Sequence, residues 1–432
     1  MKMFGYRGLT MAEDGMLKIS DVRCDYLVKK YGTPLYVMNE EEILERIRDI
    51  KQNHILKYNG VAAYASKAFL NKEMCRIIKR EGLWLDVVSG GELYTAKSVD
   101  FPMENVIFHG NNKTYEELSM AVEYGVGRIV IDNFNEIDIL EDILKENKKT
   151  IDVQIRVTPG IDGHTHEFIR TGQVDSKFGF PMHDESALYA VKRILNSEGL
   201  NLRGVHAHIG SQLHQNNIYR LEVEILAKFV GDIKNLFGYE IDEINCGGGF
   251  GIFYNEEDKR LPISFFTDVI HEAVDEFFNK YNLKKPTVFI EPGRWIVGEA
   301  GVTLYKVGAI KDIKGVRKYV SVDGGMTDNI RTALYSAKYT AVVANKLNID
   351  DKEVVTICGK CCESGDILIR DISLPKLEKG DILAVLSTGA YNYSMASNYN
   401  RIPRPPVVIV NNGKDRLIVK RETYDDILRN DI

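Results

Sequence analysis

Side chains that could take part in chemistry come directly after apolar, strand-like runs of the sequence. The run Val61–Ala65 is followed by Ser66 and Lys67, where a turn residue would be usual. The other such positions are Asp86 with Glu92, His109, His206 and His208 with Ser211, Gly247 with Gly248 and Gly249, and Glu291 with Gly293 and Arg294. In a βα barrel the reactive residues lie where the strands end, so these positions predict one functional face.

Three consecutive glycines indicate a possible phosphate site. Gly247, Gly248 and Gly249 expose backbone N–H groups without side-chain obstruction, as a bound phosphate requires. The loops after the last two strands of a βα barrel form a recurrent phosphate site, and Arg294 would lie beside the glycines there. A tight glycine turn that binds no ligand explains the same residues equally well.

A strand-end lysine together with a phosphate site suggests pyridoxal 5′-phosphate bound to Lys67 as a Schiff base. Glu291 could keep the pyridine nitrogen protonated, and His208 could stack on the ring while His206 points to the opposite face of its strand. The residues alone leave structural alternatives open. These are a lysine that reaches solvent, an ion pair between Glu291 and Arg294, and ordinary core histidines.

Strand-like and helix-like segments alternate over roughly 250 residues, the usual length of a βα barrel. The strands are expected at 61–65, 83–88, 105–109, 128–132, 152–157, 202–208, 243–246 and 288–291. Helical periodicity appears at 71–81, 114–124, 135–147, 186–196 and 218–237. The pattern predicts an α/β fold with a closed (β/α)8 TIM-type barrel, and an open doubly wound sheet is the alternative.

After about residue 300 the apolar runs become short and are interrupted by Gly, Asp, Asn and Pro. Residues 407–410 and 417–419 flank Asn411, Asn412 and Gly413, which predicts a β-hairpin. We therefore expect a C-terminal all-β domain. The predicted domain limits are 36–299 for the barrel and 300–432 for the β-domain, to which residues 1–35 are joined.

Composition excludes several classes of function. The 432 residues are 44% hydrophobic and 27% charged, and the formal net charge is −6 without dense Lys/Arg runs, which argues against a nucleic-acid partner. There is no apolar stretch of membrane-spanning length and no signal peptide pattern, so a cytoplasmic protein is expected. The pair Cys358 and Cys361 lacks a second ligand pair, so we expect reduced thiols and no metal.

The ordered motifs resemble those of the fold-type III pyridoxal-phosphate decarboxylases. They are Tyr64-Ala-Ser-Lys67, Asp86-Val-Val-Ser-Gly-Gly-Glu92, His206-Ala-His-Ile-Gly-Ser211, the three glycines, and Glu291-Pro-Gly-Arg294. Further along, Arg331-Thr-Ala-Leu-Tyr335, Cys362-Glu-Ser-Gly-Asp366 and Gly389-Ala-Tyr391 are similar to signatures of the diaminopimelate decarboxylase family. The resemblance runs from about residue 30 to residue 430 and implies the two-domain plan of alanine racemase.

The resemblance implies a role for each matching residue. Around the cofactor, Lys67 would form the Schiff base, His208 would stack on the ring and Glu291 would contact its nitrogen. The phosphate would be held by Ser211, Gly247, Gly248 and Gly249, and the other cofactor-site residues would be Asp86, Gly293, Arg294 and Tyr391.

The substrate side is implied in the same way. Arg294 and Arg331 with Tyr335 would bind the distal carboxylate, Glu363 the distal amino group, and Tyr391 both cofactor and substrate. Cys362 would return a proton to Cα. The resemblance also implies a head-to-tail homodimer in which the partner subunit supplies Cys362 and Glu363. The implied reaction converts meso-2,6-diaminopimelate to L-lysine and CO2, the last step of lysine biosynthesis.

Three alternatives remain at this point. A decarboxylase of ornithine, arginine or carboxynorspermidine would be expected to carry an acid in place of Arg331. An alanine racemase would place an arginine, rather than Glu291, at the ring nitrogen. A cofactor-carrying protein without catalysis would consist of the barrel alone.

Overall fold

The structure is a computed structural model that describes residues 5–160 and 176–432. These residues form two compact units. The barrel unit comprises Ile47–Gly251 and Arg260–Gly293, and the sheet unit comprises Met1–Arg46, Ile252–Lys259 and Arg294–Ile432. The units divide at residues other than the predicted domain limits 36–299 and 300–432, which stay a prediction.

The amino-terminal elements of the sheet unit are short. In chain order they are β1 Leu9–Met11, β2 Leu17–Ile19, β3 Val22–Arg23, α1 Cys24–Tyr31, β4 Leu35–Asn39 and α2 Glu40–Ile50. Strands β1 to β3 form a small antiparallel sheet. Strand β4 is fully buried and pairs elsewhere in the unit, as described below.

Strands and helices then alternate through the barrel unit. In chain order they are β5 Val61–Ala65, α3 Lys72–Glu81, β6 Trp84–Val87, α4 Gly90–Lys97, β7 Val106–Phe108, α5 Tyr115–Tyr124, β8 Arg128–Ile131, α6 Phe134–Asn147, β9 Ile151–Thr158, β10 Phe180–Pro181, α7 Ser186–Leu195, β11 Leu200–His206, α8 Asn217–Phe237, β12 Glu243–Asn245, α9 Ser264–Lys280 and β13 Thr287–Ile290. Within the described residues, the eight parallel strands β9-β11-β12-β13-β5-β6-β7-β8 close on themselves because β8 also pairs with β9. The predicted (β/α)8 barrel is therefore confirmed, and the open sheet is excluded.

Local sequence explains where the helices of the barrel unit begin and end. The Asn71 side chain accepts hydrogen bonds from the second and third N–H groups of α3, and Gly82 ends that helix at φ +71°. Thr114 and Glu117 form a reciprocal capping box at α5. Such caps fix the lengths of the helices, so each following strand starts at a defined position.

The barrel interior is partly apolar and partly polar. Ala63, Ile107, Val130 and Phe289 form one buried layer. A polar ladder lies beside it, defined by Arg128, Glu243, Gln154 and Asn245. Arg128 Nε donates to Glu243 Oε2 at 3.0 Å, Gln154 Nε2 donates to the same oxygen at 3.0 Å, and Asn245 Nδ2 donates to Gln154 Oε1 at 3.2 Å.

The remaining elements complete the sheet unit. In chain order they are α10 Arg294–Val297, β14 Gly301–Ile313, β15 Arg317–Val322, α11 Arg331–Tyr335, β16 Ala341–Val343, β17 Lys352–Cys358, β18 Ile367–Pro375, β19 Ile382–Leu386, β20 Val407–Asn411, β21 Lys414–Val419 and α12 Tyr424–Leu428. The sheet has the order β18-β17-β15-β14-β4-β20-β21; β19 also pairs with β14, and β16 pairs with β19. The second unit is therefore mainly sheet, as predicted, although it also contains short helices.

Two details of this sheet bear on the sequence predictions. The predicted hairpin is confirmed, since β20 and β21 pair through a turn in which Asn412 and Gly413 have φ of 49° and 73°. Strand β4 pairs with β14 and β20, so Leu35–Asn39 belongs to the sheet unit and not to the barrel. Among the described residues, helices of sufficient length and hydropathy to cross a bilayer are absent.

Candidate active site

Lys67 lies at the carboxyl end of β5, in the 3₁₀ turn Ser66–Ala68, and its side chain is exposed. The sheet register places Ala65 opposite Asp86 on β6. Glu92 on α4 accepts hydrogen bonds at 2.7 Å from both the Ser66 hydroxyl and the Val88 N–H. Burial raises the pKa of Asp86 to about 6 and also raises that of Glu92, while the positive charge of Lys67 opposes both shifts.

Glu291 follows β13, and only 7% of its surface is exposed. Its Oε1 atom accepts hydrogen bonds from His109 Nε2 and Asn245 Nδ2, each at 2.7 Å, and its Oε2 atom accepts one from His206 Nε2 at 3.3 Å. Burial alone would raise the pKa of this carboxyl, but His109 and His206 together hold it well below its usual value. Glu291 is therefore an ionised carboxylate fixed by three donors.

Two histidines near the end of β11 stay neutral. Burial lowers the pKa of His206 to about 4 and that of His208 well below its usual value. Since β11 ends at His206, the alternation of a strand does not extend to His208. The expectation that His206 points away from the site is wrong, because its Nε2 atom contacts Glu291.

The glycine loop after β12 cannot accept side chains. A Cβ atom on Gly248 would lie 2.2 Å from the carbonyl oxygen of Glu291, and one on Gly249 would lie 2.3 Å from that of Gly210. Gly247 and Gly249 also have positive φ, 60° and 91°. Asn245 Oδ1 accepts a hydrogen bond from the Gly247 N–H at 3.0 Å, so this residue holds both the loop and Glu291.

Ser211 and Gly293 lie on segments that adjoin this loop. The segment after β11 that carries Ser211 is tied to the loop by a hydrogen bond from the Leu213 N–H to the Gly249 carbonyl at 2.9 Å. A Cβ atom on Gly293 would lie 2.8 Å from the Cβ of Ala65, at the end of the strand that precedes Lys67. The structure thus places both residues at the carboxyl ends of the barrel strands.

The residues at this end of the barrel fit a pyridoxal phosphate. They provide a lysine, an ionised carboxylate, a neutral imidazole and a loop of glycine N–H groups, which are the groups that such a cofactor requires. Asp86 Oδ1 and His206 Nδ1 are buried and have no hydrogen-bond partner within the described part of the chain. Orphaned buried polar atoms are costly, which indicates that the site is built to contact a polar ligand.

In the sheet unit, two arginines lie against the ring of one tyrosine. The guanidinium groups of Arg294 and Arg331 are 4.7 Å and 5.3 Å from the centroid of Tyr391. Arg294 Nη1 also donates to the Tyr254 hydroxyl, and Arg331 Nε donates to the Tyr339 hydroxyl at 3.0 Å. These contacts place two positive charges at one tyrosine ring, an arrangement suited to binding a carboxylate.

Tyr335 stands at the edge of this cluster. Its ring centroid lies 5.4 Å from the guanidinium group of Arg331, and 60% of its surface is exposed. The structure therefore brings together four of the predicted substrate residues, namely Arg294, Arg331, Tyr335 and Tyr391.

Cys362 and Glu363 lie on a separate loop of the sheet unit, and both side chains are exposed. Asp366 shapes this loop, since its carboxylate accepts hydrogen bonds from the Cys361 N–H at 2.8 Å and the Met326 N–H at 2.7 Å. The Cys362 N–H donates to Asn400 Oδ1 at 2.8 Å. Cys361 is buried and burial raises its thiol pKa to about 11, so Cys362 is the accessible thiol of the pair.

Sequence reasoning missed several residues of these clusters. From the sequence, His109 was placed among the residues at strand ends but was assigned no role, although its position after β7 could have indicated a site residue. Asn245 lies inside the predicted strand 243–246, and no motif marks it. Tyr254 and Tyr339 likewise carry no sequence signal that separates them from other tyrosines of the chain.

The fold and the barrel-end site are those of a pyridoxal-dependent decarboxylase. Residues 40–298 match the family described as "Pyridoxal-dependent decarboxylase, pyridoxal binding domain". More narrowly, the chain belongs to the diaminopimelate decarboxylase family. It is 51% identical over 421 residues to the diaminopimelate decarboxylase of Bacillus subtilis, which covers 97% of this chain and 96% of the relative.

Solved structures agree with this assignment. The diaminopimelate decarboxylase of M. jannaschii in complex with L-lysine superposes with a TM-score of 0.93 at 36% identity, and the match covers 100% of this chain and 99% of that one. A lysine/ornithine decarboxylase of Vibrio vulnificus has a TM-score of 0.75 at 22% identity over 90% of this chain and 97% of its own, which shows the common fold alone. The comparisons confirm the predicted resemblance, enzyme class and cofactor, and favour diaminopimelate over the other basic amino acids.

Proposed function

We propose that this protein decarboxylates meso-2,6-diaminopimelate to L-lysine and CO2, the last step of lysine biosynthesis, in the cytoplasm. The observation that carries the choice of substrate is the pair of guanidinium groups at Tyr391. A substrate that loses one carboxylate and keeps another needs a cationic clamp for the second. Ornithine and arginine have no second carboxylate, so the cluster of Arg294 and Arg331 favours diaminopimelate.

Residues of the barrel unit would hold the cofactor. Lys67 would bind its aldehyde carbon, while Ser211 and the glycines Gly247, Gly248 and Gly249 would bind its phosphate. The neutral ring of His208 would pack against the pyridine, and Glu291 would keep the ring nitrogen protonated. The other proposed cofactor-site residues are Asp86 and Gly293 of the barrel unit and Arg294 and Tyr391 of the sheet unit. Bound pyridoxal phosphate supplies an electron-withdrawing ring that stabilises negative charge at the substrate Cα.

Residues of the sheet unit select the substrate and complete the reaction. Arg294, Arg331 and Tyr335 hold the distal carboxylate, Glu363 the distal amino group, and Tyr391 contacts substrate and cofactor. A hydrogen-bonding site of this kind discriminates strongly against a ligand that lacks the matching group, because buried charges would be left unpaired.

Cys362 returns a proton to Cα after CO2 has left. We propose that it does so in the partner subunit of a homodimer, together with Glu363. The exposure of both side chains in the single chain supports this assignment, since a catalytic thiol in a water-filled position would transfer protons without selectivity.

The experiment compares wild type with two lysine variants. Purified protein is mixed with pyridoxal phosphate and with meso-diaminopimelate, L-ornithine or L-arginine, and CO2, lysine and the cofactor absorbance are measured. Lysine should form from diaminopimelate alone. Lys67→Ala should abolish both covalent cofactor binding and turnover, whereas Lys72→Ala, an exposed lysine at the start of α3, should behave as wild type.

Two results would contradict the proposal. Turnover of ornithine or arginine in place of diaminopimelate would keep the cofactor site and refute the substrate. Unchanged cofactor absorbance in Lys67→Ala would refute the cofactor site itself.

A further inference from the structure

His109 lies between two acidic groups at the carboxyl end of the barrel strands. Its Nε2 atom is 2.7 Å from Glu291 Oε1 and 3.9 Å from Asp86 Oδ1. The imidazole is 4% exposed, and its ring packs edge-on against His206 with 4.7 Å between the centroids. Its backbone N–H donates to the Val87 carbonyl at 2.8 Å, so the backbone that carries the ring is tied to the end of β6.

The other charged and polar groups around this histidine come from most of the barrel strands. They are Lys67 after β5, Asp86 on β6, Asp132 after β8, Arg156 on β9, His206 on β11, Asn245 on β12 and Glu291 after β13. Of these, His206 and Asn245 also donate to the Glu291 carboxylate. Two of the three hydrogen bonds to Glu291 are 2.7 Å long, and His109 makes one of them. Of the three donors, His109 alone also faces the Asp86 oxygen that has no hydrogen-bond partner within the described part of the chain.

We propose that His109 is a positioning residue for the decarboxylation: its donated hydrogen bond aims the Glu291 carboxylate at the site of the cofactor ring nitrogen. This inference rests on the proposed function, because Glu291 matters to catalysis only if a pyridine ring is bound there. His109 touches neither the cofactor nor the substrate in this role. It acts through Glu291.

Loss of the donor has two consequences. Glu291 Oε1 keeps only Asn245 as a close partner, so the carboxylate can rotate toward the space that the imidazole occupied. His109 is also the strongest of the groups that lower the Glu291 pKa against the effect of burial. Without it, the carboxyl takes up a proton at a higher pH than in wild type. A protonated Glu291 cannot keep the ring nitrogen charged.

The test uses the apoprotein and the holoenzyme of His109→Ala and His109→Gln. In His109→Ala the affinity of the apoprotein for pyridoxal phosphate should fall about tenfold or more, as expected for a lost hydrogen bond to a charged group. In the holoenzyme kcat should fall while KM for diaminopimelate stays near wild type, and the acidic limb of the pH profile should move to higher pH. His109→Gln, whose amide N–H can reach Oε1, should recover most of the cofactor affinity.

Matched controls separate positioning from folding. His271→Gln changes another buried histidine of the barrel unit, one that pairs with His54 and not with Glu291, and should leave affinity and pH profile unchanged. If His109→Ala fails to fold, His109→Asn replaces it, because the shorter amide cannot span the distance to Glu291. Equal melting temperatures of variant and wild type confirm that the site alone has changed.

Three outcomes would overturn the inference. The first is a His109 variant with the cofactor affinity and acidic limb of wild type. The second is an affinity loss of equal size in His109→Ala and His109→Gln. The third is Zn²⁺ binding to the apoprotein that requires His109 while cofactor affinity does not, since His109, His206 and Glu291 offer ligand atoms within 4.8 Å of one another. If wild type binds pyridoxal phosphate but forms no lysine, the proposed function fails, and the affinity measurements still decide the role of His109.

Discussion

The groups assigned to the cofactor and those assigned to the proton donor are held in opposite ways. Glu291, in the barrel unit, is buried and receives three side-chain hydrogen bonds. Cys362 and Glu363, in the sheet unit, are exposed; Asp366 and Asn400 hold the backbone of their loop, and the Glu363 carboxylate accepts hydrogen bonds from its neighbours Ser364 and Gly365 alone among the described residues. One chain therefore fixes the carboxylate proposed to face the cofactor but leaves the proposed proton donor exposed.

The difference indicates a division of labour. Preorganised charges are most effective where water is excluded, and Glu291 is buried in this way within one chain. The exposed loop needs a second surface before its thiol can act selectively, which is what the proposed homodimer supplies. The arginine cluster at Tyr391 is intermediate, since Arg294 is buried whereas Tyr335 is largely exposed.

The largest effect is expected where the barrel end is most rigid. In Gly248→Ala the new methyl group would lie 2.2 Å from the Glu291 carbonyl, so the loop or the strand end must shift. We expect cofactor affinity to fall at least about a hundredfold, as for the loss of more than one charge-assisted hydrogen bond. Cofactor titration and thermal melting provide the measurement.

Gly231→Ala in α8 is the matched control for that variant. Its Cβ would lie 3.8 Å from Tyr281, an ordinary contact, and the substitution should stabilise the protein by about 0.5–1 kcal/mol. Equal cofactor affinity in both glycine variants would show that the barrel end is not rigid.

The next effect concerns the exposed loop. Cys362→Ser should lower kcat about a hundredfold, the low end of what a positioned general acid contributes, because a hydroxyl gives up its proton less readily than a thiol. Cys361→Ser should remain within a few-fold of wild type in kcat, because the Cys361 thiol is buried and burial keeps it protonated. Steady-state kinetics measure both. If Cys361→Ser is the more damaging change and still folds, the assignment of the acid is wrong.

A smaller effect separates substrate binding from cofactor binding. Arg331→Met should lower kcat/KM for diaminopimelate about 10- to 100-fold through loss of charge-assisted hydrogen bonds, with unchanged cofactor absorbance. Arg317→Met removes a partly exposed arginine that pairs with Asp371 and should change neither. Loss of cofactor in Arg331→Met would place this arginine with the barrel-end groups instead.

The smallest effect on activity is expected for two histidines that are as buried as Glu291 but are remote from the candidate active site. His54 and His271 are hydrogen-bonded to each other at 3.0 Å, and burial lowers their pKa values to about 4 and about 3. The unfolded chain binds protons at these residues below about pH 6.5, whereas the folded barrel does not. The free energy of unfolding should therefore be highest above pH 6.5 and fall toward pH 4, with activity at pH 7 unaffected.

Urea unfolding of the apoprotein at pH 7 and pH 5 measures this dependence. Each histidine should contribute a loss of about 2 kcal/mol at pH 5. His271→Gln should reduce the dependence by about one histidine, and His183→Gln, at an exposed histidine, is the control substitution. Identical pH dependence in wild type and His271→Gln would contradict the argument.

Much of the barrel could be predicted from sequence because its signals are local. Lys67, Asp86, the three glycines and Glu291 each follow an apolar run, and the ends of parallel strands necessarily meet at one face. The chemical identities and the order of these residues then narrowed the choice of enzyme family. The individual roles proposed for them remain predictions.

What sequence reasoning missed depends on contacts between distant residues. Strand β4 adjoins the barrel in sequence, yet it pairs with strands that begin at Gly301 and Val407, and no local pattern reveals such partners. The assignment of His206 was wrong because it assumed that the alternation of a strand continues from His206 to His208, whereas β11 ends at His206. Asn245 and Tyr339 owe their roles entirely to the groups that they face across the fold.

The polar ladder inside the barrel has a consequence for how this protein can change. Glu243 accepts from both Arg128 and Gln154, and the Asn245 amide donates onward to Gln154 and Glu291. A substitution at one rung leaves the next with an unpaired charge or amide, so the cost of a change depends on its neighbours. We therefore expect the ladder positions to tolerate substitution only when several of them change together. Single-site substitution libraries will show them as intolerant even where a compatible combination exists.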